Sequence, residues 1–328
     1  MRAPEFWHAP DGGLAASLLA PLGSAYGAVA RLRSWGTTPW KAPVPILCVG
    51  NLTVGGAGKT PTVLSIAERL KGRGLEVACL SRGYGGSERG PLRVDPARHT
   101  AEQVGDEPLL LAGVAPTWIA RDRRDGAQVA IAEGADIVVL DDGLQNPGLR
   151  KDLSLVVIDG GYGFGNGRML PAGPLREPVE RGLARAGAVV LIGDDMRGLA
   201  SALPAGLPVL RARLEPDEAA LNLRGRSVIA FAGIGRPAKF FQTLREVGAD
   251  VIAVTEFADH HPYNESEIMR LADTAQRRNA TLVTTAKDIV RLPAATRTLA
   301  TAVGVRLRFA EPEVLDRLLM PLLGATRG

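Results

Sequence analysis

Cysteine is nearly missing from this chain: only Cys48 and Cys79 occur in 328 residues, each inside an apolar run that reads as a buried strand. Two such residues supply neither a disulfide framework nor a zinc site, and they are expected to be small core side chains. An excess of one charge is missing too. Against 39 Lys and Arg stand 35 Asp and Glu, a formal net charge of +4, too little on a chain of this length to argue for nucleic acid as a partner. The sequence has no basic segment leading into a compact apolar run and a small-residue cleavage site, so a cleaved secretory signal is not expected. It has no internal repeat and no low-complexity tail. With 46% hydrophobic and 23% charged residues, the composition is that of a globular chain with apolar material for more than one lobe.

Charge is locally absent as well. From Gly12 to Ala30 no charged residue occurs, the stretch ends at Arg31 and Arg33, and Leu14, Leu18, Leu22, Tyr26 and Val29 recur at near-helical spacing. Trp7, Trp35 and Trp40 flank it, and Trp favours the membrane–water interface, where ring and N–H are both accommodated. Pro21, Gly23, Gly27, Ser17 and Ser24 lower its hydrophobicity and helix propensity. Residues 1–42 are therefore expected to form a membrane-associating helical segment lying in the interface or serving as a short anchor, with a plain core helix as the alternative.

Beyond it, short apolar runs alternate with helix-like segments: Val44–Val49, Glu76–Leu80, Ile137–Leu140, Leu155–Ile158, Val189–Ile192 and Val228–Phe231. Runs rich in Val and Ile without a polar alternate face predict strands covered on both sides, hence an α/β fold with a mostly parallel sheet and helices on both faces. Val251–Val254 and Thr281–Thr284, with a helix over 265–278 between them, continue the pattern into a smaller α/β lobe. The Pro- and Gly-rich stretch from Leu203 to Pro216 is the boundary candidate, which gives a core over 43–210 and a carboxyl-terminal lobe over 211–328 that contributes to the active site.

The strongest motif is Thr53-Val54-Gly55-Gly56-Ala57-Gly58-Lys59-Thr60, directly after the first strand and before a helix-like run. Glycines let backbone N–H groups turn inward around phosphate oxygens, Lys59 can reach the β- and γ-phosphates, and Thr60 can ligate Mg²⁺. The setting is that of a P-loop nucleotide site, although its first position is Thr53 rather than the usual Gly. Asp141 and Asp142 follow the apolar strand Ile137–Leu140, placing carboxylates where P-loop enzymes hold the metal. A strand-end Asp is otherwise more often a turn or capping residue.

Further segments carry a resemblance. Gly50-Asn51-Leu52-Thr53, Ser81-Arg82-Gly83-Tyr84-Gly85-Gly86, Gly105-Asp106-Glu107-Pro108, Asp141-Asp142-Gly143-Leu144-Gln145, Leu170 through Glu177 and Phe257-Ala258-Asp259-His260-His261 stand in the order and spacing of one family. In these the chain resembles the tetraacyldisaccharide 4'-kinases. That resemblance implies ATP- and Mg²⁺-dependent phosphorylation of the 4'-hydroxyl of the lipid A disaccharide precursor, at the cytoplasmic face of the inner membrane of a Gram-negative source. It implies Asp106 as base with His260 as its orienting partner, Arg176 near the ATP phosphates beside Lys59, and Gln145 in the nucleotide-binding set. The residue after Gln145 is Asn146, where the family commonly has His, so the role of that His is not carried over. Arg121, Arg123 and Arg124 could attract the precursor's 1-phosphate, though a mixed charge run with Asp122 and Asp125 ordinarily forms a solvated face.

The alternative is a P-loop switch or assembly ATPase acting at the membrane, since the glycine-rich loop also resembles those of ParA- and MinD-like proteins. These carry a second lysine before the glycine pair, where this chain has Val54. Thr285-Ala286-Lys287-Asp288 has the wrong spacing for a guanine-reading motif, and a non-catalytic membrane-surface module would leave the phosphate loop and acidic pair without a task. No obligate protein partner is expected.

Overall fold

The computed structural model describes residues 4–9, 12–34 and 36–324. Thirteen strands are present among them: β1 (Ile46–Gly50), β2 (Val77–Ser81), β3 (Leu92–Arg93), β4 (Thr117–Ile119), β5 (Ile137–Asp141), β6 (Leu153–Asp159), β7 (Ala188–Ile192), β8 (Val209–Pro216), β9 (Ser227–Ala232), β10 (Asp250–Glu256), β11 (Thr281–Thr285), β12 (Thr301–Val303) and β13 (Val305–Phe309). They build two sheets, a nine-stranded one in the order β13-β8-β7-β6-β1-β5-β2-β4-β3 and a four-stranded one in the order β10-β9-β11-β12. The large sheet is parallel except at its edges, where β3 and β13 run antiparallel to their neighbours, and the small sheet is parallel throughout.

The predicted α/β architecture follows from strands such as Ile137–Asp141, buried at every position. Alternation sends Leu47 and Val49 into a core on one face of the large sheet, with Val63, Ile66 and Leu70 of a helix following the phosphate loop, and sends Ile46 and Cys48 to the opposite core. Cys48 and Cys79 are buried and unpaired, as expected. The helices are α1 (Gly13–Ser34), α2 (Lys59–Lys71), α3 (Ala101–Val104), α4 (Asp106–Ala112) and α5 (Arg123–Ala132), followed by others named below by residue range.

Of the span 211–328 expected as the second lobe, residues 227–303 hold the small sheet, while β8 crosses the 210/211 boundary and pairs with β13 on the large sheet. The chain thus leaves the first body along one strand of an edge ribbon and returns along the other. Packing explains the return: Leu307 and Phe309 of β13, with Leu315, Leu319 and Leu322 of the helix Pro312–Gly324, join the core that α2 covers. Arg69 of α2 and Arg73, just past its end, both pair with Asp316 of that helix. Strands β4, β12 and β13 and the short β3 were not predicted: β3, β12 and β13 are partly exposed edge strands without a continuous apolar run, and β4, buried at all three positions, is too short to show one.

α1 leaves its oily face uncovered: Leu14 and Leu18 are 85% and 80% exposed, and Leu22, Tyr26 and Val29 are exposed as well. Its covered face, Ala16, Gly23 and Gly27, lies against the Arg168–Met169 loop. Two tryptophans assigned to the interface are otherwise engaged. Trp7 is buried and donates from Nε1 to the Pro171 carbonyl at 3.1 Å, and Trp40 pairs with Leu149 and lies beneath the Arg124 guanidinium. An amphipathic ring can satisfy its N–H inside a protein as well as at a membrane. Trp35 and the side chains of Arg31 and Arg33 lie outside the described residues.

Candidate active site

The phosphate loop leaves β1 and enters α2. Gly58 begins the helix at φ 90°, and a Cβ there would come 2.5 Å from the Ile192 side chain, so turn and packing both call for glycine. The segment around Leu175 forms its second wall: Val54 N donates to Pro174 O at 2.8 Å, Arg176 N to Leu52 O at 2.8 Å, and Thr53 bridges Leu175. This lateral pairing gives Thr53, buried where a P-loop usually begins with Gly, a structural place. Lys59 Nζ donates to Asn51 Oδ1 at 3.1 Å and lies 3.7 Å from Asp142. Burial holds its ammonium below the ordinary lysine range, opposed by Asp142.

β5 adjoins β1, with Val49 opposite Asp141, so the acidic pair arrives beside the loop. The two carboxylates are driven apart. Burial pushes Asp141 up to about 7, whereas Asp142, although burial works in the opposite direction, is held below the usual carboxylate range by Lys59 and Arg176. Arg176 Nη1 lies 2.8 Å from both Asp142 oxygens. Asp141 Oδ1 is buried with no hydrogen-bond partner. An unsatisfied carboxylate oxygen on the strand beside the phosphate loop fits a hard cation that takes oxygen ligands. Among the described residues no three His, Cys, Asp or Glu side chains gather as a self-contained metal cluster.

The other half of the cleft comes from two lobes. α4 begins at Asp106, whose backbone is set by Gly105 at φ 89°; a Cβ at Gly105 would meet Tyr84 O at 2.6 Å, which ties this turn to the Ser81–Gly86 loop. From the smaller lobe His260 reaches across, with Nδ1 3.1 Å from Asp106 Oδ2. Lys287 Nζ lies 2.9 Å from Glu107, and Arg291 Nη2 donates to Asp106 Oδ2. Asp142 at φ 58° and His260 at φ 59° both occupy the left-handed region, which costs a non-glycine residue on the order of 1–3 kcal/mol and clusters at functional sites. The halves are in electrostatic reach, because Glu107 supports the charge on Lys59 and opposes that on Asp141.

Thus Thr53–Thr60, Asp141, Asp142 and Arg176 form one group, and Asp106 with His260 another. Gln145 stands behind the first: its Nε2 donates to Asn51 O and to Glu177 Oε1, both at 2.9 Å, and Glu177 is buried and also held by Arg185 at 2.5 Å. His261 turns away to Glu267 and Phe257. Asn146 makes a turn, accepting from Gly148 N at 2.9 Å. Arg123 is buried rather than on a solvated face, and burial together with Arg82 lowers it to about 10. Sequence reasoning missed Asn51, Glu107, Glu177, Lys287 and Arg291 as members of these networks. Asn51, Glu107 and Glu177 sit inside segments already singled out, so adjacency was a usable signal for them; Lys287 sat in the sequence set aside as a mis-spaced guanine motif, and Arg291 had no signal.

The model of the family described as Tetraacyldisaccharide-1-P 4'-kinase matches residues 15–323. The chain is 59% identical over 327 residues to the tetraacyldisaccharide 4'-kinase of Rhodospirillum centenum, covering 98% of this chain and 97% of the relative. It is 55% identical over 328 residues to that of Rhodospirillum rubrum, with 98% of each covered. Among solved structures, it is similar to the "apo" form of LpxK from Aquifex aeolicus in complex with ATP, with a TM-score of 0.77 and 28% identity over 94% of this chain and 99% of that one.

Proposed function

The chain belongs to the tetraacyldisaccharide-1-P 4'-kinase family, and on that premise we propose that its cleft divides the reaction between a nucleotide half, Thr53–Thr60, Asp141, Asp142 and Arg176, and an acceptor half, Asp106 and His260. The activity is ATP-dependent transfer of the γ-phosphoryl group to the 4'-hydroxyl of the tetraacyldisaccharide 1-phosphate precursor of lipid A, so the substrate is a glycolipid. The 3.1 Å approach of His260 to Asp106 across two lobes, beside Glu107, whose charge acts on Lys59, supports the residue assignment.

The 4'-oxygen attacks the γ-phosphorus, the bond to the β–γ bridging oxygen breaks, and its electron pair leaves with ADP. Asp106 receives the hydroxyl proton, and His260 orients that carboxylate. Little covalent work falls to the protein in such a transfer; positioning and charge stabilisation dominate. Backbone N–H groups of Gly55–Lys59 cradle the phosphates, Lys59 and Arg176 stabilise charge on the transferring group, and Gln145 fixes Asn51 and Glu177 behind them. Thr60, Asp141 and Asp142 are the residues that would hold Mg²⁺, which neutralises phosphate charge when bound. The working units are the large-sheet body with its amino-terminal helix and the lobe of residues 227–303, which delivers His260.

Among the described residues no helix is long and apolar enough to cross a membrane. The exposed Leu14, Leu18, Leu22, Tyr26 and Val29 support α1 lying in the membrane surface, peripheral at the cytoplasmic face of the inner membrane, where the cleft meets both ATP and an acylated acceptor.

The test is transfer from γ-labelled ATP to lipid A disaccharide 1-phosphate in mixed micelles with Mg²⁺. Labelled lipid is expected from the wild type, with losses on the order of 10²–10³-fold for Lys59→Ala and for Asp106→Ala. ATP hydrolysis without lipid labelling would overturn the kinase reading.

A further inference from the structure

Arg291 has its guanidinium at the meeting of the two lobes, with only 5% of the side chain exposed. On its own lobe Nη1 donates to Gly233 O at 2.8 Å and to Asp288 Oδ1 at 3.1 Å. Across the cleft Nη2 donates to Asp106 Oδ2, 185 residues away in sequence, and stands 3.3 Å from His260 Nδ1. Burial works against a charge here, and the carboxylates of Asp106 and Asp288 outweigh it.

The anchor is itself fixed. Asp288 is fully buried and accepts from Tyr263 Oη at 3.0 Å, Gly233 N at 3.1 Å and Thr285 Oγ1 at 2.6 Å. Val290 packs onto the Val104, Leu109 and Ile119 cluster beside α4. A planar fork held at one end by such a carboxylate presents its other nitrogen in a set direction, which a lysine ammonium on a flexible stem does not.

The distribution of bonds on Asp106 is uneven. Arg291 and His260 both address Oδ2, and among the described residues no hydrogen bond or ion pair engages Oδ1. With the carboxylate pinned through one oxygen, the other points to a defined place. We propose that Arg291 is a positioning residue for the transfer: it holds Asp106 through Oδ2 so that Oδ1 is presented to the 4'-hydroxyl, which makes the base competent when the smaller lobe is docked on α4. This rests on the reading of Asp106 as the base. In a loose phosphoryl transfer placement dominates, and a misplacement of about 1 Å can lower the rate on the order of 10²-fold.

A double-mutant cycle tests it. Arg291→Lys keeps the charge and loses the fork; it is made in the wild type and in Asp106→Asn, with each protein assayed for lipid labelling at a temperature where it is folded. In the wild type, Arg291→Lys should lower kcat by about 10- to 100-fold with KM for ATP changed less than about 3-fold. In the Asp106→Asn protein it should remove less than about 3-fold more. Asp288→Asn, which frees the anchored end of the fork, should repeat the pattern with a smaller loss and serves if Arg291→Lys does not fold. Equal losses in both backgrounds, or a loss confined to KM for ATP, would make Arg291 a structural tie between lobes and overturn the proposal. If instead Asp106→Asn retains full kcat, the base assignment itself falls; additivity on a crippled Asp106→Asn removes only the part given to Arg291.

Discussion

The two halves of the cleft are built in different ways. In the nucleotide half, Lys59 and Asn51 are eight residues apart, Arg176 and Asp142 are 34 apart, and all sit on the loops of one sheet. In the acceptor half, Asp106 meets Arg291 from 185 residues away and His260 from the other lobe. The first half is fixed whenever the large sheet is folded. The second exists only when two bodies are docked, held by Lys287–Glu107 at 2.9 Å, by Arg291, and by the looser Arg236–Asp159 contact at 3.7 Å. On the proposed reading, a kinase built this way binds nucleotide at a complete site while phosphoryl transfer depends on the lobe that brings the partners of Asp106, an arrangement that would disfavour water as acceptor.

The largest effect that would break this division is on ATP affinity. Asp142→Asn removes the carboxylate that Lys59 and Arg176 share, and kcat/KM should drop on the order of 10³-fold with ATP binding visibly weakened in titration calorimetry. Asp106→Ala should lower kcat about as much while leaving the ATP dissociation constant within about 3-fold of wild type. If Asp106→Ala weakened ATP binding as strongly as Asp142→Asn, the halves would be one unit and the division would be wrong.

The same difference decided what could be read in advance. The strand–loop–helix at Ile46–Lys71, the strand ending in Asp141 and the parallel sheet are local patterns, in which periodicity and adjacency carry the information. The edge ribbon β8–β13 and the return of the helix Pro312–Gly324 to α2 depend on pairing between residues far apart in sequence, Val305 with Pro216 being the nearest pair of the ribbon, and nothing in Val305–Phe309 alone announces it. Lys287 sits inside the Thr285–Asp288 sequence set aside as a mis-spaced guanine motif and Arg291 three residues after it, and only docking against α4 gives them a task. Trp7 shows the opposite failure, in which a residue type suited to membranes is spent on the Pro171 carbonyl. Among the described residues the exposed apolar face of α1 carries the membrane reading, so a smaller prediction falls on its leucines. With Leu14→Gln and Leu18→Gln together, KM for the lipid acceptor should rise about 10-fold, given ~1.5–3 kcal/mol for a fully buried Leu and partial immersion here. KM for ATP should not change; an equal rise in both would mean that the helix supports the fold instead of the acceptor half.

The smallest effect concerns charge, and its sign differs between the halves. Burial pushes the Asp141 carboxyl from 3.8 up to about 7. Between those values the folded chain keeps a proton that the unfolded chain has released. Stability from this group is therefore greatest below its unfolded value and is lost as the pH rises toward the folded one. Asp141→Asn takes the charge away and should raise the melting temperature of the nucleotide-free protein at pH 8 by about 2–4 °C, with the gain shrinking toward pH 5. Asp106→Asn does the reverse. Its carboxylate is already matched by the Arg291 guanidinium, so neutralising it leaves a buried cation with only Asp288 as a counter-charge, and the melting temperature should drop. Opposite signs would mean that the nucleotide half stores an unpaired carboxylate for a cation yet to arrive, while the acceptor half comes with its cation built in. Equal signs would show that the two acidic groups are held in the same way.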